Sequence, residues 1–227
     1  IMEHLWATLF PAQEWMTCVG RLAFPIFAFM IAEGCYYTSN VKKYMLRLFL
    51  FAIISEMPFN LIMGSSVFYP FHQNVLWTFL LGVLSIQIIE KAKKKQKKWI
   101  SFFVVCLVLL MDFLLGTITM VDYNAAGILT VLLFYFFRKK TWISFAAQLV
   151  GLYYLNVVML GNLYYPVTIL GHHFEIAQQS FALLALIPIW LYHGEQGYHS
   201  KWFKYFCYAF YPVHLLILVV IWQWRIR

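Results

Sequence analysis

FFVVCLVLLMDFLLG, residues 102–116, carries a single charge, Asp112, in an otherwise unbroken apolar run. AGILTVLLFYFF, residues 126–137, has no charge at all. Membrane-spanning strands need short segments in which apolar and polar residues alternate, so these continuous runs predict helices instead. Crossing a ~30 Å hydrocarbon core takes about 20 such residues. Working outward from these two stretches, runs of that length recur between short polar breaks along the whole chain. Eight full spans are expected, at about 15–38, 43–64, 73–90, 98–116, 123–138, 141–161, 176–193 and 203–224, with half of a ninth over residues 1–10. MEHLWATLF gives only ~15 Å of helix, which predicts further residues upstream of Ile1. The expected fold is therefore all-α: a polytopic membrane helical bundle of about nine transmembrane helices, the first truncated, forming one domain over residues 1–227.

Composition supports this class. Of 227 residues, 63% are hydrophobic and only 11% charged, against roughly 25% charged in soluble domains. The net charge of +8 is set by 17 Lys and Arg. Their positions alternate: Lys42, Lys43 and Arg47 in one break, six lysines in KAKKKQKK, then Arg138, Lys139 and Lys140, then Lys201 and Lys204. The intervening breaks, FPAQE, MGSSVFYPFHQ, GTITMVD and GNLYYPVTILGHHFE, have none. The first set is expected in the cytoplasm and the second outside. The lysine run is thereby a topology signal, and nucleic acid is excluded as a partner; membrane lipids are the surroundings.

Five ionisable residues, Glu3, His4, Arg21, Glu56 and His214, fall inside the expected spans. A charge at mid-membrane costs at least ~3 kcal/mol, so such groups pair, face the bundle interior or line a path for substrates. His4 and Arg21 both lie roughly 10 Å below the first outer loop, and Glu56 and His214 fall near the same level. Pro25, Pro58 and Pro212 sit beside Arg21, Glu56 and His214. A helical proline strips the carbonyl four residues earlier of its donor and kinks the helix, which opens space for polar side chains. Glu33 is set apart, close to the cytoplasmic end of its span.

GRLAFPIFAFMIAEG (residues 20–34), SEMPFN (55–60), NVLWTFLLG (74–82), the Asp122-Tyr123 pair and KYFCYAFYPVHLLIL (204–218) resemble the TraX family, whose name-giving member acetylates the amino terminus of F-type pilin. The resemblance runs from end to end. Where that family has an Asp-His pair in its first helix, this chain has Glu3-His4, one methylene longer. More distantly, the layout is similar to multi-pass enzymes such as heparan-α-glucosaminide N-acetyltransferase, which pass an acyl group from cytosolic acyl-CoA to an acceptor across or within the membrane. The resemblance implies an acyltransferase with acetyl-CoA as donor, in a bacterial inner (cytoplasmic) membrane. The acceptor would be an amine or hydroxyl of a peptide, glycan or lipid. Tyr211 and Asp122, in the matched blocks, join the residues expected to hold that acceptor.

Acyl transfer from a thioester needs a base for the acceptor's proton and a donor for the developing oxyanion. Among these residues His4 is the expected base. Adjacent helical residues point about 100° apart, so Glu3 is placed to neutralise Arg21 rather than to orient the His4 ring. His214 is either a second acid/base or a hydrogen-bonding partner of the acceptor. Arg21, Glu56 and the amide of Asn74 complete the expected acceptor site. Lys42, Lys43 and Arg47 are placed to meet the phosphates of coenzyme A, with Glu33 ordering their loop. The alternative class is a small-molecule transporter, or an accessory membrane subunit, using the same polar layer as a relay or binding site. No metal is expected: Cys18, Cys35, Cys106 and Cys207 lie within spans, and the adjacent His172 and His173 with Glu175 lack further ligands.

Overall fold

The computed structural model describes residues 1–161, 163–169, 171–195, 197–198 and 200–226. Arg227, the Lys204 side chain, and Asn162 and Leu170 of the fourth outer break lie outside the described residues.

Five helices are long and apolar enough to cross a membrane: Trp15–Tyr37, Val41–Gly64, Val75–Lys95, Lys98–Ile118 and Lys201–Arg225. The chain opens with a short helix, Met2–Thr8 (α1). The first long span is two segments, Trp15–Gly20 (α2) and Ala23–Tyr37 (α3), joined by a turn at Arg21 and Leu22. The break falls where Pro25 withholds an N–H from the Arg21 carbonyl. Val41–Gly64 (α4), Val75–Lys95 (α5) and Lys98–Ile118 (α6) follow. Next come Asn124–Phe136 (α7), Trp142–Leu152 (α8) continued by a π-helix over Tyr153–Val158, a 3-10 helix Gln178–Ala185 running into Leu186–Leu191 (α9), and Lys201–Ile226 (α10).

Two features differ from the expected pattern. The stretches 123–138, 141–161 and 176–193, expected as full spans, hold apolar helices of 10–17 residues, so among the described residues the full-length spans number five. The 13 residues of α7 rise only about 20 Å. Tyr123 and Asn124, at φ of 62° and 47°, mark the turn from which α7 starts. Second, the fourth outer break contains an antiparallel hairpin, Tyr164–Ile169 (β1) against His172–Ala177 (β2), so the fold is not purely helical. Gly171, at φ +81°, occupies the turn conformation that glycine adopts without a Cβ clash.

The main core joins α3, α5, α6 and α7 around Phe24, Ala28, Phe79, Ile86, Val131 and Phe134. Helix axes come close at Gly82 and Gly116: a Cβ there would lie 2.9 Å from Val131 and 2.6 Å from the Ala125 backbone. A smaller cluster, Phe59, Ile62, Leu215, Leu218 and Val219 with Leu5 and Leu9, packs α1 against α4 and α10. Outside, Phe102, Phe103, Leu107 and Leu110 of α6 are exposed. Such a continuous apolar face suits hydrocarbon, and the chain is an integral membrane protein.

The two ends of the bundle are distinct. Gln73 and Val121 form a parallel bridge that ties the α4–α5 loop to the α6–α7 loop, both lacking Lys and Arg. At the opposite end, Arg138 bonds Glu33, and the Lys140 ammonium donates to the carbonyls of Trp190 (2.9 Å) and Tyr192. The alternate breaks that charge assigns to one side thus share one end.

Candidate functional site

α1, the broken α2–α3 span, α4, α5 and α10 surround a cavity of about 700 Å³. Glu3, His4, Arg21, Arg47, Tyr211, His214 and Asp122 line it, together with His72 and Tyr123. On α4 the lining residues range from Tyr44 to Met63, nineteen residues apart or roughly 28 Å along the helix. The chamber therefore extends over most of a bilayer's thickness.

His4 and His214 meet inside it. His4 Nδ1 lies 2.9 Å from His214 Nε2, and His214 Nδ1 lies 2.7 Å from the Phe210 carbonyl oxygen. These contacts fix the neutral tautomers. A carbonyl only accepts, so His214 Nδ1 carries the proton and its Nε2 keeps a lone pair. His4 Nδ1–H donates to that lone pair, which leaves His4 Nε2 with a free lone pair of its own. Tyr211 packs edge-on to both rings, with centroids 6.3 and 5.6 Å away. Pro212 stands inside α10, two residues before His214.

Beside the histidines, the Arg21 guanidinium donates to Glu3 Oε1. Thr17 donates to Glu3 Oε2 at 2.8 Å, and Gln178 donates to Thr17 at 3.0 Å and to the Tyr165 hydroxyl at 3.0 Å. The ion pair is thus braced from the outer hairpin. Gly20 makes room for it, since a Cβ there would stand 2.6 Å from Glu3 Oε2. Arg21 retains a buried Nε–H without a partner among the described residues.

His72, which sequence reasoning did not single out, and Tyr123, noted there only as the neighbour of Asp122, complete the outer end of the chamber. His72 Nε2 lies 3.2 Å from Asp122 Oδ1, which also accepts from the Tyr123 amide at 3.1 Å. The Gln73–Val121 bridge brings these two loop residues together. The carboxylate acceptor raises the His72 pKa above its ordinary value, outweighing the opposing effect of burial, and Glu56 adds a smaller pull in the same direction. A raised histidine stabilises the fold fully below about pH 6.5, its unfolded value, and this contribution fades as pH climbs through the folded value. The thermal midpoint of the wild type is accordingly expected to exceed that of His72→Gln at pH 6, with the gap closing toward pH 9. An equal gap at both pH values would mean that the pair acts only as a neutral hydrogen bond.

The remaining expected residues are placed elsewhere. Glu56 accepts from the Asn74 amide and, at 2.8 Å, from the Trp77 indole. The Asn74 amide also reaches the Ala52 carbonyl (2.9 Å), and its Oδ1 caps α5 at Leu76 N (3.1 Å). Glu56 and Asn74 thus join α4 to α5, and neither lines the chamber. Glu33 holds Arg138 through two bonds of 2.5 and 3.1 Å, and that guanidinium stacks 3.5 Å over the Tyr36 ring. Lys42 and Lys43 are exposed on the first turn of α4, where Asn40 caps the Lys43 amide at 2.9 Å. Of the three loop cations only Arg47 reaches the chamber wall.

Three comparisons bear on what such a chamber does. The family described as "TraX protein" matches residues 1–222. A "probable fimbrial assembly protein FimC, serogroup H1" from Dichelobacter nodosus is 25% identical over 213 residues, covering 90% of this chain and 82% of that protein. No solved structure matches the chain.

Proposed function

The chain belongs to the TraX family, and from that membership we propose that it is an acyltransferase of a bacterial cytoplasmic membrane, moving an acetyl group from acetyl-CoA to an amine or hydroxyl of a peptide, glycan or lipid. The observation that carries this reading is the His4–His214 pair inside the chamber, with His4 Nε2 free to take a proton. The relative's name, a fimbrial assembly protein, is in keeping with an acceptor at the cell envelope.

An acyl-CoA supplies an activated acyl thioester. His4 Nε2 takes the proton of the acceptor amine or hydroxyl as that group attacks the acyl carbon. The charge pushed onto His4 is shared with His214 through their common hydrogen bond, and from there with the Phe210 carbonyl. Arg21, fixed by Glu3 and Thr17, turns its unpaired Nε–H and its charge toward the oxygen on which negative charge gathers. When the carbon–sulfur bond breaks, His4 returns its proton to the departing sulfur, so the base is regenerated and the products are acyl acceptor and free thiol. Asp122, Tyr211 and His72, toward the outer loops, form the acceptor's side of the chamber. Glu56, Asn74 and Glu33 support it by bracing α4 to α5 and α3 to the end of α7.

The test is thiol release. Purified protein given acetyl-CoA and envelope acceptors should liberate free thiol in step with acceptor acetylation. A chamber of this length would also admit a solute, and a transporter would carry its cargo into proteoliposomes unchanged, without producing thiol.

A further inference from the structure

Arg47 is a half-buried cation without a counter-ion among the described residues. The other two arginines within the bundle, Arg21 and Arg138, each hold a glutamate. Arg47 has no carboxylate partner among the described residues, and its Nε is buried without any hydrogen bond. Its guanidinium sits 6.0 Å from the ring centroids of both Tyr44 and Tyr208, and all three side chains line the chamber. A guanidinium does not shed its proton, so a half-buried one with no counter-ion favours an anion beside it. Its fork of N–H groups matches phosphate oxygens. Lys42 and Lys43, one turn earlier, point into solvent.

We propose that Arg47, bracketed by Tyr44 and Tyr208, grips a phosphate group inside the chamber and so anchors the thioester donor, while Lys42 and Lys43 stay outside the site. This rests on the acyl-CoA reading above. The placement suits it: Tyr208 and His214 are six residues apart on α10, roughly 9 Å along the axis. A phosphate held at Arg47 would therefore leave the donor's long arm free to run up the chamber to His4. Phosphate esters also occur on anionic phospholipids, and the experiment separates the two sources.

Binding of coenzyme A, and of pantetheine as its phosphate-free counterpart, is measured by calorimetry with the full chain in nanodiscs of phosphatidylcholine, and again in nanodiscs containing phosphatidylglycerol. Arg47→Gln is expected to weaken coenzyme A binding about tenfold or more and to leave pantetheine unchanged. Arg47→Lys, which keeps the charge and loses the fork, should fall between, and it serves as the variant of record if Arg47→Gln does not assemble. Lys42→Gln with Lys43→Gln should stay within about threefold at 0.15 M salt. Unaltered coenzyme A affinity in the Arg47 variants overturns the proposal. So does an Arg47-dependent loss of retained phosphatidylglycerol without loss of coenzyme A, which would assign the site to a lipid headgroup. A wild type that binds no coenzyme A in either lipid would instead sink the acyl-donor reading itself.

Discussion

His4→Ala is expected to cut acceptor-dependent thiol release by about 10²–10⁴-fold, the range for loss of a general base, with the chain still inserted and folded. Among the described residues the ring makes one hydrogen bond to protein, the 2.9 Å contact with His214. The backbone carbonyl that Thr8 uses at 2.6 Å is untouched by the change. α1 stays pinned through Leu5 and Leu9 on the cluster with α4 and α10. His4→Gln sharpens the test, because an amide N–H can still donate to His214 Nε2 while nothing replaces the bare imidazole nitrogen. Both variants should be inactive, with elution profiles and thermal midpoints close to wild type. Activity retained in His4→Gln would remove His4 as the base and leave His214 as the only histidine of the pair able to serve.

Much of this site was legible in the sequence because depth in a membrane is countable. Polar residues at similar distances from charge-defined ends predicted one layer, and His4, Arg21 and His214 do line one chamber. The pairing of Glu3 with Arg21, rather than with its neighbour His4, followed from the 100° step between adjacent helical residues. What depth counting omits is azimuth. Arg47 and Glu56 are nine residues apart on α4, roughly 900°, which is half a turn out of phase. Glu56, on the face of α4 opposite Arg47, turns instead to Asn74 and Trp77. Loop partners were beyond such arithmetic. His72 meets Asp122 only because two loops form the Gln73–Val121 bridge, and Glu33 meets Arg138 across 105 residues of chain. Helix length was also out of reach of hydropathy alone: the stretches 123–138, 141–161 and 176–193 hold apolar helices of 10–17 residues.

Arg21→Ala is expected to damage both assembly and turnover, because it leaves Glu3 charged, largely enclosed and bonded only to Thr17. The two side chains are 12% and 26% exposed, and removing one partner of such a pair costs about 3–5 kcal/mol. That is a large share of the ~5–15 kcal/mol by which folded domains are stable. Low yield and a lowered thermal midpoint are therefore the expected readings for the single variant. The Glu3→Gln/Arg21→Ala double variant separates the two roles. It removes the stranded charge and keeps an acceptor for the Thr17 hydroxyl, so most of the lost stability should return. Thiol release should not, because the cation proposed to meet the reacting oxygen is still missing. Recovery of both properties in the double variant would reduce Arg21 to a structural counter-ion. A single variant that is stable yet inactive would mean that Glu3 is already neutral in the membrane and that the arginine is held in the chamber for chemistry alone.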